Sequence, residues 1–381
     1  MWRWILSLAG LLVVGGTLLS VIGTLVVPRA VASRITRVCD RVVDFLFLHA
    51  TAGVGAYVRR DRILAWQSPL SLIVRLSVWL TLLVVGFSLV LLPAVGGPLA
   101  ASIHEAGSSI LTLGYAAPRN AGSTVVEYAA AFTGLVVIGL QVGYLPTLYA
   151  AFNRRETEVT LLTSRAGLPA WGPEILARTL WGISEGDTGP VLGDLFRSWE
   201  RWSAELAESH TTYVVLVRLR SPRPLSHWLT ALLAVMDAAA LHLAIAPARE
   251  PKLPARLLLR MGFTALEQIA RAVGIAVPQE ADPDAPISIS YEQFREAVEE
   301  LRRLGYPVER TSEQAWPHFR GWRANYDVAA LGLARELDAP PAMWSGPRRW
   351  PSQPVAPARP AIRMAREAAQ GSETQPKSPG S

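Results

Sequence analysis

The chain has little of what most catalytic or extracellular proteins rely on. Cys39 is the one cysteine in 381 residues, which excludes an intrachain disulfide and a thiolate zinc site. Charged residues make up only 18% of the chain, below the share usual in soluble domains. There is no phosphate-cradling glycine loop, no His-Glu-x-x-His and no nucleophile elbow, so an enzyme reading finds no footing. His49, His104, His210, His227, His242 and His318 are scattered without ligand spacing. No internal repeat is visible. The formal charge of +6 suggests nucleic acid only in bulk, because the arginines flank apolar runs rather than interleave with exposed aromatics.

What is abundant is apolar sequence, and it is concentrated before residue 152. Residues 4–27 carry no charge, and a helix of that length, at about 1.5 Å per residue, crosses a hydrocarbon core of about 30 Å. A cleaved signal peptide is the rival reading, with 30–32 as the cleavage site; the run is longer than the usual apolar core of a signal. A second run covers 70–95, with Arg75 near enough to its start to snorkel. A third covers 124–151 and exceeds what a bilayer requires.

Arginine placement orients these runs. Arg29, Arg34, Arg37, Arg41, Arg59, Arg60 and Arg62 fall between the first two, and Arg154 and Arg155 follow the third. Such segments stay in the cytoplasm, which puts the N-terminus outside and the C-terminal part in the cytosol of a multi-pass cell-membrane protein. Residues 42–58 are too short and interrupted to span, and are expected to lie along the inner leaflet as an amphipathic helix.

Between the second and third runs, 98–118 form a moderately apolar segment that is too short to cross. Non-helical backbone at membrane depth is tolerated only where protein buries it or it lines water. Thr112-Leu113-Gly114-Tyr115 resembles the Thr-Val-Gly-Tyr core of potassium-channel selectivity filters, in the family's order of span, short helix, filter and span. The resemblance covers about the first 155 residues. It implies a homotetramer that conducts potassium or other monovalent cations passively. The backbone carbonyls of Thr112, Leu113, Gly114 and Tyr115 would hold the dehydrated cation, with Ala116 closing the filter. Gly114 would let a carbonyl turn inward, the Thr112 hydroxyl would add an oxygen, and the Tyr115 ring would hold the filter's width.

The chain departs from the family pattern at Ala116-Ala117, where Gly-Asp is usual. Alanine in the conformation of that glycine is strained, so Ala116 either carries the strain or changes the geometry, and relaxed selectivity is expected. In the third run, Gly134, Gly139 and Gly143 mark either helix packing or pore lining, with packing the commoner role of small residues. Gln141 faces a cavity or bonds another helix, and Pro146 bends the helix as a gate or simply as a bend. Glu127 either stands in for the missing acid, sits behind the filter, or is a solvated interfacial residue.

The fold expected is therefore an all-α membrane protein. A first transmembrane helix covers 1–27, a basic cytosolic or interfacial segment 28–69, and a pore module 70–152. A helical cytosolic domain covers 153–345 and a disordered tail 346–381. Helices are expected near 157–167, 174–184, 189–209, 224–246, 252–276, 290–304 and 319–337, with 213–220 divided between strand and helix. The apolar run 228–247 threatens this topology, but Asp237 and His242 favour a helix buried in protein over one in lipid. Trp171, Trp181, Trp199, Trp202, Trp228, Trp316 and Trp322 read as core anchors. In the tail, Arg348, Arg349, Arg359 and Arg363 are candidates for contact with anionic lipid. The domain lacks the Rossmann fingerprint of the nucleotide-sensing domains that regulate many potassium channels, and no cofactor is expected. A non-conducting membrane-anchored sensor or scaffold acting through these helices is the alternative function.

Overall fold

The computed structural model describes residues 1–27, 33–180, 188–278 and 280–358. It is all-helical among those residues; the only β features are two isolated bridges. The apolar first half forms α1 (Trp2–Leu25), α2 (Arg34–Thr51), α3 (Tyr57–Leu64), α4 (Gln67–Val95), α5 (Leu99–Ile110) and α6 (Ala121–Ala166). Local chemistry explains the boundaries. The Ser33 hydroxyl accepts the Thr36 N–H at 3.1 Å and starts α2. Asn120 and Ser123 form a reciprocal capping box at the start of α6.

Packing in this half rests on small residues and aromatics. A Cβ on Gly10 would clash with the Gly86 backbone, so the two glycines let α1 and α4 approach closely. Trp79 fills the seam beside them and donates its indole N–H to Ser20 at 3.0 Å. α5 lies between α4 and α6, with Ala106 and Ile110 buried in the same core as Leu83, Leu91 and Val137.

The third apolar run does not stop at 151. Nothing from Asn153 to Ala166 breaks a helix, and Val159 and Leu162 bury against the C-terminal core, so α6 continues to Gly167, whose φ of +73° ends it. The C-terminal domain then adds α7 (Gly172–Thr179), α8 (Gly189–Thr212), the four-residue α9 (Val215–Arg218), α10 (Trp228–Ile245), α11 (Lys252–Ala272), α12 (Tyr291–Arg303) and α13 (Ser312–Glu336). Part of the helix expected at 174–184, and Trp181, lie outside the described residues. Segment 213–220 becomes α9 and its flanks, not a strand.

Among the described residues, four stretches could cross a membrane by length and composition: Trp2–Leu25, Tyr57–Val95, Ala121–Ala166 and Trp228–Ile245. The first three leave broad surfaces uncovered, with 28%, 44% and 33% of their most apolar windows buried, and the fourth is 100% buried. Trp4, Leu12, Leu19, Phe132 and Leu135 are among the exposed side chains of the first three, an apolar surface that needs lipid or protein against it. α10 has no such surface. It is enclosed by α6, α7, α8, α11 and α13.

Charge burial inside the domain is fully partnered at Asp237. Its carboxylate accepts Arg323 Nη1 at 2.7 and 2.8 Å and the Tyr326 hydroxyl at 2.7 Å. Arg323 also bonds Asp327 at 2.8 Å and the Trp344 carbonyl at 3.0 Å. The charge that would be costly in lipid is neutralised by protein.

The tail is ordered further than composition suggests. Leu168 and Ala358 exchange backbone hydrogen bonds at 3.1 and 3.0 Å, and Val355 donates to the Pro341 carbonyl at 2.7 Å. Arg348, expected to reach lipid, is buried, and its guanidinium donates to the carbonyls of Ala339, Ser345 and Gly346. The expectation of disorder from 346 is thus corrected for 346–358, because a basic side chain can serve as a multi-carbonyl staple. Arg359 and Arg363 lie outside the described residues.

Candidate functional site

α5 is 12 residues long, about 18 Å, and cannot cross a bilayer. After it the chain turns at Leu111 and Thr112 and runs on without helix to Pro118. The Leu113 N–H donates to the Ser108 carbonyl at 2.8 Å, and the N–H groups of Tyr115 and Ala116 both donate to the Ser108 hydroxyl at 3.1 Å. One buried serine on the last turns of α5 thereby folds the segment back along the helix that precedes it. Sequence reasoning missed Ser108. The available signal was the Ser108-Ser109 pair of hydroxyls, of which Ser108 stands one helical turn before Thr112.

Gly114 sits at φ +69°. A Cβ there would meet nothing within 4 Å, so glycine is needed for its backbone angle alone. The other left-handed position is Thr112, at φ 55°. A β-branched residue there is strained, by about 1–2 kcal/mol. Its hydroxyl donates to the Leu111 carbonyl at 2.8 Å. Ala116 is not among the positive-φ residues. Of the two outcomes expected at Ala116, strain or a changed geometry, this chain has the second: Ala116 keeps an ordinary backbone angle beside the Ser108 clamp, and the left-handed non-glycine residue of the loop is Thr112. The Tyr115 ring stands edge-on to His104 of α5, 5.5 Å between centroids, and is otherwise exposed, as are Thr112 and Leu113.

Two further contacts brace the loop. Arg119 Nε donates to Glu105 Oε1 at 2.9 Å, which ties the end of the loop to the middle of α5. Asn120 Nδ2 donates to the Ala94 carbonyl at 2.8 Å, which ties it to the end of α4. Glu127 is buried behind α5 near Glu105, not solvated at an interface. Glu105 Oε2 and Glu127 Oε1 have no hydrogen-bond partner among the described residues.

The structure divides the candidate lining residues of α6 into two groups. Gly134 and Gln141 lie on the face covered by the chain's own helices, with Ala130, Val137 and Leu148. Gly134 is where α6 passes against the last carbonyl of α5, that of Ile110. Gly139, Gly143 and Pro146 lie on the open face with Phe132, Leu135 and Val142, and the two glycines have nothing within 4 Å of a Cβ. The helix continues through Pro146.

Below this region α6 is gripped by the short segment around α9. Arg155 Nη1 donates to the Leu216 carbonyl and Nη2 to the Leu219 carbonyl, each at 2.7 Å, and Nε bonds Glu156 at 2.9 Å. Leu216 packs with Leu148 and Tyr144. From the same segment Arg218 pairs with Asp44 of α2 and, at 2.8 Å, with Glu336 of α13. Arg220 pairs with Asp61 of α3 at 2.6 Å. Arg60 meets Asp338 at 2.5 Å, both buried. The apolar helices and the C-terminal domain are therefore joined by buried or half-buried ion pairs, whose partners are too far apart in sequence to be paired by inspection.

The chain matches no protein-family model, no curated protein and no solved structure.

Proposed function

We propose that the chain is a potassium-channel-like pore that conducts monovalent cations passively, assembled as a homotetramer in the cell membrane. The observation that carries this reading is the loop at 112–116. It is a helix-preceded, non-helical segment held by the Ser108 hydroxyl, between two helices whose outer surfaces are apolar. The positive φ of Thr112 and Gly114, two left-handed residues within three positions, supports a specialised backbone segment. One chain supplies one such loop, and four are needed to surround an ion with carbonyls. The open face of α6 that carries Gly139, Gly143 and Pro146 then lines the conduction path. The arginine asymmetry supports an external N-terminus and a cytosolic C-terminal domain.

A second reading is favoured by one observation. Ala116 does not adopt the left-handed angle of the family's second filter glycine, so a carbonyl ring at that level is not made in the family's way. On that reading the chain is a membrane-anchored sensor or scaffold that does not conduct, and the helical domain does the work.

Recording purified protein in planar bilayers under opposed potassium and sodium gradients separates the two. A cation current whose reversal potential follows potassium supports the pore. Tetramers that pass no current favour the scaffold, and monomers or dimers across several mild detergents defeat the pore.

A further inference from the structure

A cleft of about 320 Å³ lies between the apolar helices and the C-terminal domain, bounded by α2, the start of α4, the α9 segment and the end of α11. Five arginines line it: Arg37 and Arg41 from α2, Arg75 from α4, Arg218 from α9 and Arg271 from α11. Two carboxylates line it with them, and both are engaged; Arg218 also reaches Glu336 and Arg271 pairs with Glu267, so only Arg37 and Arg41 are left over. Asp40 accepts Arg75 Nε at 2.8 Å, and Asp44 is held by Arg218 and by the Gln67 amide at 2.8 Å.

The remaining charge is unanswered. Arg37 and Arg41 are exposed and have no ion pair or hydrogen bond among the described residues, although they stand one turn apart on the same helix, where like charges repel. A second observation points to a ligand independently of charge. Ser68 is 2% exposed, lines the cleft, and its hydroxyl has no partner. A buried hydroxyl without a partner is costly. Ser68 also lies in the first turn of the 29-residue α4, where Pro69 has no N–H and the Leu70 N–H is bonded to the Trp66 carbonyl at 3.0 Å, so side chains supply the donors here.

We propose that this cleft binds a phosphate group. Its oxygens would accept from the Arg37 and Arg41 guanidiniums and from the Ser68 hydroxyl, in a cleft already walled by three further arginines. Guanidinium and hydroxyl donors converging at the first turn of a helix suit a tetrahedral oxyanion. The cleft's walls come from both halves of the molecule, so occupancy ties α2 and α4 to α9 and α11. The phosphate belongs either to a soluble phosphorylated compound or to a lipid headgroup. The binding claim does not depend on whether the protein conducts.

The test uses the full chain purified in mild detergent, titrated with pyrophosphate in a calorimeter. In parallel, its melting temperature is read in phosphatidylcholine nanodiscs with and without phosphatidic acid. The double variant Arg37→Gln/Arg41→Gln is compared with Arg256→Gln/Arg260→Gln, a pair of exposed arginines of α11 that do not line the cleft. Pyrophosphate affinity is expected to fall about tenfold or more in the first pair and to hold in the second. Ser68→Ala is expected to weaken it by a smaller factor. Binding of pyrophosphate identifies a soluble source. A melting shift that needs phosphatidic acid and is lost only in the first pair identifies a headgroup. The proposal is overturned if neither probe binds, or if both arginine pairs weaken binding equally.

Discussion

The carbonyl of Ile110 occupies the space that a Cβ on Gly134 would need, so the end of α5 rests directly on the backbone of α6. This contact sets how close the loop that follows α5 stands to the long helix beside it. Gly134→Leu is expected to destabilise the first half by about 1–3 kcal/mol through overpacking, and to broaden or split elution of the purified protein. Gly139→Ala, on the open face, is expected to leave the melting temperature unchanged. Thermal melts of both variants in one detergent check the contrast.

The loop itself yields a second expectation. Gly114→Val places a β-branched side chain at φ +69° and is expected to abolish current while tetramers persist in mass measurements. Ser108→Ala releases the N–H groups of Tyr115 and Ala116 and is expected to shift the reversal potential toward sodium. Ala116→Gly is expected to change stability by no more than about 0.5 kcal/mol, because Ala116 is unstrained. A large gain from Ala116→Gly would show that the assembled protein holds residue 116 in the left-handed region.

The Asp237–Arg323 pair anchors the C-terminal domain, with side chains 3% and 0% exposed. Asp237→Ala leaves a buried guanidinium half-compensated and is expected to cost about 3–5 kcal/mol. Asp237→Asn keeps an acceptor for Arg323 and Tyr326 and is expected to cost less. Urea titrations followed by tryptophan near-ultraviolet circular dichroism measure the difference.

Acid is expected to unfold this domain through buried neutral histidines. Burial holds the His242 imidazole down at about 4, and His210 and His227 lie well below the usual range for the same reason, aided by the nearby Arg155 and Arg220 charges. The unfolded chain takes up these protons near pH 6.5 and the folded chain does not, so stability falls as pH drops from about 6.5 toward 4. His242 alone accounts for a loss on the order of 2 kcal/mol at pH 5. His242→Gln is expected to flatten the pH dependence of the melting temperature by that share. An unchanged slope would show that His242 is not buried in the native protein.

Several features of the candidate site were readable from residues alone because they are local. Thr112–Tyr115 and the short apolar stretch before it are consecutive, whereas the cap at Thr311, which starts α13 at Ser312 instead of near 319, was not read from the sequence. The continuation of α6 past residue 151 was misjudged because the change from lipid-like to amphipathic composition was read as a boundary. A helix responds to breakers, and none occurs between residue 151 and Gly167. The role of Ser108 was missed for the opposite reason. A serine in a helix has no distinctive pattern until the chain that follows folds back onto it.

The sequence by itself determined the helical class, the three apolar runs with open surfaces, the order of long helix, short helix, loop and long helix, and the burial of the run that holds Asp237. Run length, periodicity and the cost of a charge in lipid are properties of contiguous residues, and water or lipid acts on them before any tertiary contact exists. Only the tertiary structure decided which charges are answered. Arg60 and Asp338 are 278 positions apart, Arg323 and Asp237 are 86 apart, and Arg155 caps carbonyls 61 and 64 residues away. The same folding left Arg37 and Arg41 without carboxylates, seated Arg348 among carbonyls, and gave the left-handed angle to Thr112 and not to Ala116. Ion pairing and backbone strain depend on distances that packing sets, and arginines that look alike in sequence end as a staple, a latch or an open anion site according to which helix reaches them.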